Sequence, residues 1–81
     1  MLSEIPREIA GLKKLREVVL RRHAIRNLPV ELFDCALLRV LDLGYNRIGY
    51  LPDDVGRLSN LSVLRLDHNR YALNHRHQVR V

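Results

Sequence analysis

The three prolines of this chain, Pro6, Pro29 and Pro52, stand 23 residues apart, and each follows an aliphatic residue: Ile5, Leu28 and Leu51. The same spacing aligns Leu2, Ile25 and Ile48; Ile9, Leu32 and Val55; and Leu12, Cys35 and Leu58. It also aligns Leu15, Leu38 and Leu61; Val18, Leu41 and Leu64; and Leu20, Leu43 and Leu66. Apolar columns locked to one period mean a stack of like coils, each burying its apolar face on its neighbours. A chain of 81 residues has room for one such domain.

The unit is clearest from Leu38 to Asn60, LRVLDLGYNRIGYLPDDVGRLSN. Leu41 and Leu43 flank Asp42, the alternation of a strand with one buried face. Gly44-Tyr45-Asn46 then turns the chain, Ile48 and Leu51 continue the apolar side, and Pro52 bars a regular ladder. Asp53 and Asp54 stand where a short helical or 3₁₀ turn begins, a place that favours carboxylates, and serve as its caps rather than as an acid/base couple. Val55 and Leu58 face that turn inward. The chain divides into a partial unit over 1–14, full units over 15–37 and 38–60, a partial unit over 61–73, and a polar, basic tail over 74–81. It enters and leaves within a unit, as a piece of a longer array would.

The wording LxxLxLxxNxIxxLPxxVGxL, over residues 2 to about 71, resembles the leucine-rich repeats of roughly 23 residues. It is most similar to intracellular repeats of the Ras-associated type and to those of plant nucleotide-binding resistance proteins. The resemblance implies an α/β solenoid arc, with a short parallel β-sheet on the concave side and short helical or 3₁₀ turns on the convex side. It also implies that Asn46 and Asn69 bond backbone groups left unpaired by the turn. His23 takes that place in the first full unit; an imidazole can do at most half of this work, so the first turn is expected to be weaker.

Strand residues pointing away from the core form the concave face: Glu17, Val19 and Arg21; Val40, Asp42 and Gly44; Val63, Arg65 and Asp67. Arg22, Tyr45 and His68 lie just beyond. All of these except Gly44 form the expected partner-binding set, in which tyrosine and arginine are frequent anchors. Asp42 and Arg65 share a column and are expected to pair across adjacent strands. The expected function is a non-catalytic protein–protein interaction module. The resemblance suggests signalling or defence, with a small GTPase, a phosphatase or a pathogen protein as conceivable partners. One alternative is a fragment of a longer repeat protein with no independent activity.

Catalytic chemistry has no motif here: no GxSxG, no glycine-rich phosphate loop and no paired cysteines. No cofactor is expected, and His68, His75 and His77 match no zinc spacing. Cys35 falls in an apolar column and reads as a small core residue. A single cysteine, with no secretory signal ahead of it, favours a reducing intracellular compartment, the cytoplasm. No apolar run approaches the roughly 20 residues of a membrane span. The formal charge is +5, and the stretch from Arg65 to Arg80 is rich in arginine and histidine. Polyanion binding through that end is a further alternative. An aromatic fraction of 5% leaves little for nucleic-acid recognition by base stacking.

Overall fold

The computed structural model describes residues 1–70. The expectations for residues 71–73, for the tail over 74–81 and for His75 and His77 lie outside the described residues. Each coil runs from a strand through a turn to a proline and a 3₁₀ turn. The strands are β1 (Glu17–Val19), β2 (Val40–Asp42) and β3 (Val63–Arg65). They form one parallel sheet in the order β1-β2-β3. Its register is the 23-residue spacing itself, with Val18 opposite Leu41 and Leu41 opposite Leu64. The ladder runs on past the strands. Leu20 N–H donates to the Asp42 carbonyl at 2.8 Å, Arg22 N–H to Gly44 at 3.1 Å, and Tyr45 N–H to Asp67 at 2.9 Å.

The prolines stand immediately before the three 3₁₀ turns, Arg7–Gly11, Val30–Asp34 and Asp53–Arg57. Their φ values are −68°, −69° and −64°. The pyrrolidine ring presets this angle and has no N–H to leave unpaired at a helix start. Each turn closes when the N–H of Leu12, Cys35 or Leu58 donates to the carbonyl of Ile9, Leu32 or Val55. Asp53 and Asp54 open the third turn as the sequence suggests, but no side chain caps it. Asp54 instead pairs with Arg57 at 3.5 Å, and Arg57 also reaches Asp34, its column mate one coil earlier.

Between sheet and 3₁₀ turns lies a core in which Ile25, Leu32, Phe33, Leu38, Leu41, Leu43 and Ile48 are fully buried. Leu20, Leu64 and Leu66 pack against it. Phe33 belongs to no apolar column, since Ala10 and Gly56 are its mates; its ring fills the interior of the middle coil. The first coil has a neighbour on one side only. Leu12 is therefore 55% exposed, while its column mates Cys35 and Leu58 are buried. The Cys35 thiol lies 3.5 Å from the Ile9 carbonyl, and burial pushes its pKa up, away from the reactive thiolate.

Two adjacent columns make the turn after each strand. Arg22, Tyr45 and His68 have φ of 62°, 57° and 57°. The left-handed position of the Gly44-Tyr45-Asn46 turn thus falls on Tyr45 and not on the glycine. The next column holds the backbone in place. Asn46 Oδ1 accepts from Ile25 N–H at 3.1 Å. Its Nδ2 stands 2.8, 3.0 and 3.1 Å from the carbonyls of Leu20, Leu43 and Gly44. Asn69 repeats the arrangement one coil on, accepting from Ile48 N–H at 2.9 Å. At His23, Nδ1 accepts from Leu2 N–H at 2.9 Å, which is the acceptor half of the asparagine's work.

Candidate functional site on the concave face

Because Val18, Leu41 and Leu64 turn inward, the residues on either side of them face out in two columns, and the turns after the strands add two more. Glu17, Val40 and Val63 form the first, and Val19, Asp42 and Arg65 the second. Arg21, Gly44 and Asp67 form the third, and Arg22, Tyr45 and His68 the fourth. Glu17, Val19, Arg22, Arg65, Asp67 and His68 are exposed, and Val40, Tyr45, Val63 and Arg21 are half-buried. Asp42 is buried. The sequence offers it as an open contact residue; the structure covers it with Arg21.

Asp42 and Arg65 are register partners, as expected, but they form no ion pair. Arg21 takes the carboxylate instead, with Nη1 donating to Asp42 Oδ1 at 2.6 Å. Gly44 N–H donates to the same oxygen at 3.2 Å. The guanidinium then continues across the sheet to Asp67, where Nη2 to Oδ2 is 3.0 Å and Nη1 to Oδ1 is 3.3 Å. One arginine of the first coil thus grips a carboxylate of the second and a carboxylate of the third.

Gly44 makes the crossing possible. A Cβ there would lie 2.5 Å from Arg21 Nη1 and 2.8 Å from Asp67 Oδ1. The two carboxylates hold the Arg21 pKa above its ordinary value, the Asp67 hydrogen bonds contributing most. The Arg21 hydrogen bond in turn holds the Asp67 carboxyl below the usual carboxylate range. The signal for this clasp was present at the repeat spacing, as Arg, Gly and Asp at 21, 44 and 67. Reasoning from adjacent strands alone passes over it.

Beside the clasp, the left-handed backbone of the fourth column stacks its side chains. The Arg22 guanidinium lies 4.0 Å from the centre of the Tyr45 ring. The His68 ring lies 4.1 Å from it, with 14° between the planes. Cation–π attraction and offset stacking favour both contacts. Tyr45 is therefore occupied within the sheet rather than projecting as a lone anchor. Val19, Arg65, Arg22 and Glu17 are left exposed on this face.

This arrangement of coils matches known proteins. The leucine rich repeat family profile covers residues 13–70. The chain belongs to the leucine-rich repeat family. It is 43% identical over 71 residues to the volume-regulated anion channel subunit LRRC8E of Xenopus laevis, a match covering 85% of this chain and 9% of that protein. It is 34% identical over 61 residues to leucine-rich repeat-containing protein 7 of Homo sapiens, covering 74% of this chain and 4% of that protein. The chain therefore spans less than a tenth of the length of these relatives. Among solved structures, the Leptospira interrogans LRR protein LIC12759 superposes with a TM-score of 0.82 at 35% identity, over 84% of this chain and 17% of that one. The LRR ectodomain of the receptor kinase SOBIR1 from Arabidopsis thaliana gives 0.74 at 37% identity, over 82% of this chain and 37% of that one. The leucine-rich repeat assignment makes this chain a solenoid of the protein-interaction type. Among the described residues, no helix is long and apolar enough to cross a membrane.

Proposed function

We propose that this leucine-rich repeat chain is a non-catalytic module that holds a protein partner on its concave face, in a signalling or defence setting. The observation that carries the reading is a division of labour within the face. Arg21, Asp42, Gly44 and Asp67 fix the sheet, and this leaves Val19, 56% exposed, on one outer strand, the exposed Arg65 in the same column on the other, and the exposed Arg22 on the turn after β1. A rigid platform with a few open apolar and cationic side chains loses little entropy when it binds. A small GTPase, a phosphatase or a pathogen protein would each present a folded surface to such a platform. An intracellular setting is part of the proposal and is supported by Cys35, a lone cysteine buried as a thiol. The test is affinity capture followed by binding of the purified captured protein to wild type and to the Val19→Asp/Arg65→Glu variant. A loss of about tenfold or more is expected. An unchanged Kd would exclude the concave face.

A further inference from the structure

The acidic residues of this chain gather on one side. The convex segments 4–12, 27–35 and 50–58 carry Glu4, Glu8, Glu31, Asp34, Asp53 and Asp54 with Arg7 and Arg57, while the exposed Lys13, Lys14, Arg16 and Arg39 lie on the stretches leading from these segments into the strands and Arg26 on the stretch after the first turn. The opposite holds along the sheet and on the loop edge that follows it. Arg22, Arg47, Arg65 and Arg70 are exposed there, and among the described residues none of the four forms an ion pair. The carboxylates on that side, Asp42 and Asp67, are both held by Arg21. Glu17 remains, but it lies at the opposite end of β1 from the loop edge. Val19 shares a column with Arg65, and Val40 and Val63 extend the apolar surface toward the start of the strands, in the column of Glu17.

From this sorting we infer that the concave face and its loop edge receive an acidic segment of the partner protein, one in which carboxylates are interspersed with aliphatic side chains. The inference rests on the concave-face reading and adds the chemistry of what binds there. Unpaired guanidiniums and exposed valines on one face reward such a segment twice. The carboxylates take bidentate bonds, and the aliphatic groups cover the valines. The acidic convex side repels the same segment, so encounters are steered to one face. A nucleic acid fits less well. The Tyr45 ring lies between Arg22 and His68, which leaves the His68 imidazole as the exposed ring of the stack and little surface on which a base could lie.

The experiment is selection of short random peptides displayed on phage against the full folded chain. Enriched peptides are then synthesised with a fluorescent label and titrated against wild type and variants. The variants are Arg22→Glu/Arg47→Glu on the loop edge, the milder Arg22→Gln/Arg47→Gln, Val19→Asp on the sheet, and Asp53→Asn/Asp54→Asn on the convex side. Circular dichroism checks that each is folded. Enriched peptides are expected to be acidic and to lose about tenfold or more in affinity to either loop-edge pair, with no loss to the convex pair. Their binding is expected to weaken as salt rises to physiological strength. Neutral or basic winners that still fail on Val19→Asp would overturn the acidic class and leave the concave reading standing. Winners indifferent to every sheet and loop-edge variant would overturn both. Failure to enrich any peptide would overturn the acidic segment. So would tighter, arginine-dependent binding to single-stranded DNA or to phosphatidylserine vesicles than to any selected peptide.

Discussion

Gly44 follows the middle strand, with Arg21 one coil before it in the same column and Asp67 one coil after. Its φ is not positive, so conformational freedom does not explain it. The close approach of the Arg21 guanidinium does. A methyl group at this position forces the guanidinium aside and so breaks the bonds to Asp42 and Asp67. Gly44→Ala is therefore expected to lower the melting temperature by a few degrees, as is Arg21→Ala. The double variant should fall little further than Arg21→Ala alone, because both changes remove the same interaction. Thermal melts of the four proteins in one cycle check this. Additive losses would mean that the glycine serves some other purpose. The clasp escapes a reading of the residues because it depends on which of several cations reaches the buried carboxylate. Arg65 has the right register and Arg21 the right reach.

The second and third turns each depend on one asparagine that works as both donor and acceptor. Asn46 is buried and bonds Ile25 N–H as well as the carbonyls of Leu20, Leu43 and Gly44. Asn46→Ala strands these groups and is expected to cost roughly 2–4 kcal/mol, since each buried unpaired polar group carries its desolvation penalty. His23 supplies only the acceptor half, so His23→Asn is expected to add about 0.5–1.5 kcal/mol by restoring a donor. Urea titrations of the two variants measure both, and a destabilising His23→Asn would contradict the account. Most of this element was legible beforehand. The strands, the proline-led 3₁₀ turns and the single acceptor bond at His23 follow from alternation, the ring of proline and the atoms of histidine. The left-handed position is less legible, because nothing in Tyr45 itself favours it over Gly44. It falls there because the ladder bond from Tyr45 N–H and the Asn46 bonds together leave the chain no other course.

For the molecule as a whole, the clasp matters because it ties coils one and three, which share no strand pairing. Repeat stacks otherwise cohere only between neighbours. The Asp67 carboxyl has a folded pKa below its ordinary value, so its contribution to stability is fully present above the unfolded pKa of about 3.9. It is lost as the pH falls through the lower, folded value. Wild type is accordingly expected to melt above Asp67→Asn at neutral pH, and the two curves should converge on acidification. A gap that stays constant with pH would show that Arg21 does not act on Asp67 through charge.

The amino-acid sequence by itself determined the size of each coil, the alignment of one coil on the next, and the side chains that face inward. A fixed period of apolar residues admits only one stacking that buries them all. The tertiary structure alone decided which concave charges remain open to a partner. Asp42 disappears beneath Arg21, Tyr45 is flanked by Arg22 and His68, and Phe33 fills the middle coil without an apolar column to announce it. Those outcomes turn on how far a long side chain can reach and on the space its neighbours leave, and neither quantity is carried by spacing along the chain.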